Sequence, residues 1–188
     1  MTLLVVVLVP GLLAGWAVGG RLSRLADVEL RAPAAIFGAV ALQLALGLVP
    51  AELRLPGLVA SGVLVTAWLV ANARDRTPAL GLAVGLLAVG WALNLAVMVP
   101  NRGMPVSDTA LSRIGAPAEV DVADGNLFKH VRADGDTVLP WLGDVVPVPP
   151  LRAVVSAGDV FMAAGVFLVL AAGMARREGR EAPLAVGA

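Results

Sequence analysis

Two carboxylates carry most of the chemistry this chain could do. Asp144 and Asp159 fall in one stretch, residues 142–165, that opens as a polar loop and ends in an apolar run. Carboxyl groups brought within a few Å cannot both ionise cheaply, so they share a proton; one can then act as general base on water while the other acts as acid. Asp159 also has a chemistry of its own. Counted from a helix start at Leu151, it lies about 12 Å along the axis at ~1.5 Å per residue, in the outer half of a membrane. A carboxylate at the centre of a span costs about 2.5–3.5 kcal/mol, so Asp159 should face protein or a water-filled pocket, where it could be the protonatable site of a carrier. The lesser role for both is structural. Asp159 would then hydrogen-bond to Asn94 or pair with Arg102 or Arg152, and Asp144 would cap a helix or end a turn.

Several polar side chains could complete such a site. Trp91, Asn94, Met98 and Asn101 share a helix face by three- and four-residue steps, and that face ends at Asn101 and Arg102. Ser156 lies on the face of Asp159. His130, beside Lys129, could serve Ser107 or Ser112 as a base, but an exposed loop histidine is the simpler assignment.

These residues must be held by a membrane scaffold. Of 188 residues 59% are hydrophobic and 15% charged, with mean hydropathy +0.86. Soluble domains average about 25% charged. The fourteen basic and fourteen acidic residues cancel, so no basic surface argues for nucleic acid. The absence of cysteine and the single histidine exclude thiol chemistry and a multi-histidine cage within one chain. No metal and no cofactor is implied.

Apolar runs predict an all-α membrane protein with five spans, near residues 3–20, 33–49, 55–73, 79–100 and 151–175. The first lacks a basic leader and is expected to be retained; Gly11, Gly15 and Gly19 form a stripe on it that suits packing against a neighbour in the same chain. The domains are therefore a four-helix region (1–100), an extracytoplasmic loop (101–150), a fifth helix (151–176) and a cytoplasmic tail (177–188). Basic residues concentrate in the short segments 21–31 and 74–76 and in the tail, which puts the N-terminus outside and the C-terminus in the cytoplasm. In the long acidic loop, Asp124-Gly125 and Asp134-Gly135 predict turns of a small β-hairpin or meander. Trp68 and Asn72 are expected to be anchors at the membrane interface.

The segments NRGMPVS at 101–107, Lys129-His130, LGDVVP at 142–147 and the VSAGD run ending at Asp159 resemble a bacterial family of small polytopic membrane proteins known only as a domain of unknown function. That resemblance covers most of the chain and implies no activity. Gly143-Asp144-Val145-Val146, and Ser156-Ala157-Gly158-Asp159 followed by Gly165, are similar to the two aspartate motifs of lipoprotein signal peptidase, a membrane aspartyl protease. The second resemblance implies that Asp144 and Asp159 are a catalytic dyad. It departs from that family in having Ser156 in place of an asparagine, a shorter interval between the aspartates and an additional span.

The expected function is thus a membrane protein with a polar pocket near the outer leaflet, binding a lipid or a membrane-protein partner. Its pocket residues would be Asn94, Asn101, Arg102, His130 and Ser156. The alternatives are an aspartyl hydrolase using Asp144 and Asp159, and a proton-coupled carrier using Asp159. The sequence leaves the oligomeric state open.

Overall fold

A computed structural model describes residues 2–115 and 130–175. The chain is mostly helical. The long helices are α1 (Thr2–Ala17), α2 (Pro33–Ala45), α3 (Ala51–Asn72), α4 (Pro78–Asn101) and α6 (Ala157–Met174), with a short α5 (Asp108–Arg113) between α4 and α6. Three segments, Glu52–Asn72, Pro78–Asn101 and Ala157–Met174, are long and apolar enough to cross a membrane, which suggests a membrane protein. The large apolar side chains exposed on the helices, among them Trp16, Phe37, Leu44 and Val63, match a bundle whose outer surface faces lipid.

Two of the five expected spans are shorter than their apolar runs. α1 has 16 residues and α2 has 13, or about 24 and 20 Å at ~1.5 Å per residue. The turn at Gly19, in the left-handed region at φ 74°, follows the end of α1, and a run of turn residues ahead of Pro50 follows α2. α3 starts four residues earlier than its hydropathy implied and carries Pro56 within it. As the sixth residue of the helix this proline lies past the first turn, so it removes one amide from the ladder, the one that would reach the Glu52 carbonyl.

The helices pair by close backbone approach. Gly11 and Gly15 of α1 rest on Leu170 and Met174 of α6, so the glycine stripe packs within the chain as expected. Gly19 takes no part in that seam. The Arg21 amide and the Arg24 guanidinium both donate to the Met174 carbonyl, at 3.0 and 3.3 Å, which places a cation on the C-terminal carbonyls of α6. α2 and α3 form an antiparallel pair in which Gln43 Nε2 donates to the buried Ser61 hydroxyl at 2.8 Å. At the far end of this pair Asn72 clamps Arg31, accepting from its N–H at 3.0 Å and donating to its C=O at 2.9 Å. Asn72 is therefore a buried clamp, not an interface anchor, and Trp68 too has its indole N–H buried. Trp91 Nε1 donates to Thr66 Oγ1 at 3.3 Å and ties α4 to α3.

The α4–α6 seam is the tightest. A side chain on Gly90 would meet the Gly158 carbonyl and Met162; one on Gly158 would meet Asn94; one on Gly165 would meet Leu87 and the Ala83 carbonyl. Only glycine lets these two backbones come so close.

Beyond α4 the chain builds a small β element of two two-stranded pairs among the described residues. β1 (Met104–Val106) pairs in parallel with β2 (His130–Arg132), with Met104 opposite His130. A parallel pair cannot be joined by a tight turn, and residues 107–129 make the connection. β3 (Val146–Val148) and β4 (Ala153–Val155) form an antiparallel pair, within residues expected to lead into the last helix. The prolines do not force one extended entry. Pro149–Leu151 make a 3-10 turn, and Arg152, at φ 47°, reverses the chain. Asp134 does organise a turn, its Oδ1 accepting from the Asp136 N–H and the Thr137 hydroxyl, each at 3.0 Å. The turn expected at Asp124-Gly125 lies outside the described residues.

Candidate functional site

The site sits where the β element meets the C-terminal end of α4 and the N-terminal end of α6. α6 begins at Ala157, six residues later than its apolar run suggested, so Asp159 occupies the first turn and not the middle of a span. Its environment is built from the cap upward. Ser156 is the N-cap: its Oγ accepts from the Asp159 N–H at 3.0 Å, and Asp159 Oδ2 accepts from the Ser156 N–H at 3.1 Å. This reciprocal capping box satisfies two orphan amides of the helix start. The negative carboxylate also complements the positive end of the helix dipole.

Asn94 joins this cap from α4. Its Nδ2 donates to Asp159 Oδ1 at 3.0 Å, and its Oδ1 accepts from Ser156 Oγ at 3.0 Å. The contact depends on Gly90 and Gly158, since any Cβ on Gly158 would overlap the Asn94 amide. Asp159 therefore takes its hydrogen bonds from Asn94 and the Ser156 backbone, and neither Arg102 nor Arg152 pairs with it.

Asp144 arrives from the other side. Its N–H donates to the Pro105 carbonyl at 2.8 Å and its C=O accepts from the Ser107 N–H at 3.0 Å, so β1 lies between this segment and β2. Gly143 permits the approach, because a side chain there would strike Pro105. Fixed in this way, Asp144 is 5% exposed and does not belong to the solvated acidic face expected of the loop. His130, set on β2 by its pairing with Met104, brings Nε2 to 3.4 Å from Asp144 Oδ2. The histidine is half-buried and engaged with a carboxylate. It neither hangs free in the loop nor serves Ser107 or Ser112, whose hydroxyls cap α5 and bond Thr109.

Burial pushes the Asp144 carboxyl above its ordinary range. The hydrogen bond from His130 pulls it back, the charge of Asp159 raises it further, and the charge of His130 again opposes the rise. The two aspartates thus feel one another across the site. Asp144 Oδ1 and His130 Nδ1 are buried without a protein partner, a costly state for polar atoms in an apolar setting.

Asp144, His130, Asp159 and Asn94 line one cavity of about 230 Å³, with Gln43 and Trp91 as its other polar residues. Leu58 and three methionines, Met98, Met104 and Met162, supply apolar wall. α2, α3, α4, α6, β1 and β2 all contribute. Three residues expected at the pocket lie beside it instead. Ser156 is fully buried and acts through Asn94. Asn101 clamps the loop, its Nδ2 donating to the Val97 and Val138 carbonyls at 2.7 and 2.8 Å and its Oδ1 accepting from the Val138 N–H at 2.9 Å. Arg102 ends α4 in the left-handed conformation, φ 59°. Gln43 and Met162 were not anticipated here. Among the described residues no group of three or more His, Asp or Glu side chains is arranged to hold a metal ion.

A model for the family of unknown function DUF5317 matches residues 27–171. The match includes every residue of the cavity and leaves α1 outside it. No curated protein and no solved structure matches the chain.

Proposed function

The chain belongs to the DUF5317 family of unknown function, and from that premise we propose that it is a multi-pass bacterial membrane protein whose cavity is a ligand-binding site at the outer end of the bundle. The observation that carries this reading is that two residues lining the cavity, Asp144 and His130, each keep one buried polar atom, Oδ1 and Nδ1, without a protein partner. Buried polar atoms without a protein partner are stabilised when a ligand or ordered water meets them. In this reading all five long helices cross the bilayer. The chain runs N-terminus outside to C-terminus in the cytoplasm, and the arginine-bearing ends at Arg24, Arg31 and Arg76 lie on the cytoplasmic side. The occupant is a lipid or a small molecule. The test is native mass spectrometry of the protein extracted from its own membrane. A retained small-molecule or lipid adduct should be present in the wild type and lost in Met98→Trp, which fills the cavity from its apolar wall. An unliganded wild type would count against the site.

A membrane-embedded aspartyl hydrolase is the second reading, favoured by the presence of both Asp144 and Asp159 on the wall of one cavity. Two carboxyls whose surroundings differ can divide acid and base roles. Asp159, held by two donors, would take the proton from a water attacking an acyl carbon while protonated Asp144 gives its proton to the carbonyl oxygen; the proton on Asp159 would then pass to the leaving group as its bond to that carbon breaks, and Asp144 would recover a proton from the diol as the acid forms. Asp144→Asn and Asp159→Asn should then each abolish cleavage of a membrane-anchored substrate. A proton-coupled carrier has less support, because Asp159 is committed to a capping box in the first turn of α6.

A further inference from the structure

We propose that the cavity takes a protonated amine, presented either by a lipid headgroup or as a free small molecule. This rests on the reading of the cavity as a ligand site and names its ligand. The argument is a balance of donors and acceptors. Among the described residues the cavity lining contains two carboxyls, an imidazole and two side-chain amides, and neither lysine nor arginine. Asp144 Oδ2 is met by His130 Nε2. An imidazole that donates from Nε2 to a carboxylate presents Nδ1 as an acceptor in its neutral form. The unfilled Asp144 Oδ1 is therefore an acceptor, and so is His130 Nδ1 whenever the imidazole is neutral.

The missing partner must donate, and an ammonium offers up to three N–H donors with a positive charge. A hydroxyl would fill one acceptor and leave the carboxylates uncompensated. An anionic headgroup would be repelled by both. The donors already on Asp159, from Asn94 and the Ser156 amide, hold that carboxylate in place and leave Asp144 as the direct contact. Size agrees, because a volume of about 230 Å³ is below the ~300–1,000 Å³ of sites for drug-sized ligands. It suits an ethanolamine-sized group and not a whole lipid.

The experiment uses the full chain in nanodiscs of mixed phosphatidylethanolamine and phosphatidylglycerol, with retained lipid read by native mass spectrometry. In parallel, free ethanolamine is titrated by calorimetry into the chain in phosphatidylglycerol discs. Retention of phosphatidylethanolamine over phosphatidylglycerol assigns the amine to a headgroup; binding of free ethanolamine without a lipid preference assigns it to a small molecule. Either supports the proposal if Asp144→Asn weakens the interaction by about tenfold or more and Asp134→Asn, an exposed acid outside the cavity, leaves it unchanged. His130→Ala, which removes the second acceptor, should weaken it as well and serves independently should Asp144→Asn fold poorly. Preference for phosphatidylglycerol, or amine binding indifferent to both substitutions, overturns the amine while leaving a ligand site. Absence of any retained ligand in the wild type, with Met98→Trp indistinguishable from it, overturns both.

Discussion

Asn94 of α4 bonds both halves of the α6 cap at once, donating to Asp159 Oδ1 and accepting from Ser156 Oγ, each at 3.0 Å. One side chain thereby fixes the helix start, the orientation of Asp159 and the floor of the cavity. Replacing it with leucine leaves a buried hydroxyl and a carboxylate without their partner, a cost of about 1–3 kcal/mol. Asn94→Leu should lower the thermal midpoint in detergent micelles, and Ser156→Ala should lower it by a similar step through loss of the cap, about 0.5–2 kcal/mol. Because the two share one network, the double variant should lose less than the sum.

The seam that allows this contact makes a second prediction. Gly90→Ala and Gly158→Ala each set a methyl group against the opposing backbone or Asn94, and overpacking of this kind costs about 1–3 kcal/mol. Gly81→Ala and Gly85→Ala lie on the same helix with nothing within 4 Å, so they should be neutral or gain up to about 1 kcal/mol in helix propensity. Thermal unfolding of the four variants side by side checks the contrast.

Much of this was legible in the sequence, and the rest was hidden for identifiable reasons. The helical runs and the glycine stripe on Leu170 and Met174 are local patterns. The two aspartates were recognisable by type. Asp159 lies shallower than its distance from Leu151 implies, although the sequence carries the signal: Ser156-x-x-Asp159 before an apolar run is a capping-box pattern, and it marks a helix start at Ala157 instead of Leu151. His130 gave no such sign. It reaches Asp144 only because β2 pairs with β1 in parallel and β1 also carries the Asp144 segment, a register set by contacts far apart in sequence. Gln43 enters from α2, where nothing local distinguishes a pocket residue from an interhelical bond to Ser61.

The raised carboxyl of Asp144 predicts a pH dependence with a definite sign. A group that holds its proton more tightly when folded contributes stability that is complete below its unfolded value, 3.8, and is lost as pH rises through the raised folded value. Asp144→Asn removes that titration. Its thermal midpoint relative to wild type should therefore increase as the pH is taken from about 4 toward neutrality, measured without added ligand. A difference independent of pH would show that Asp144 is not buried as described.

The orientation can be tested on a clean background, since the chain has no cysteine. Thr109→Cys and Ala73→Cys introduce thiols at exposed positions at opposite ends of the bundle. A membrane-impermeant maleimide should label Thr109→Cys in intact cells and Ala73→Cys only after lysis. Reversed labelling would invert the proposed topology.

An experimental structure in a lipid nanodisc tests the central claim most directly. The account predicts non-protein density in the cavity within hydrogen-bonding distance of Asp144 Oδ1 and His130 Nδ1, with Asp159 still held by Asn94. A cavity without density, with Asp144 turned to solvent and His130 withdrawn from it, would contradict the assignment of this site.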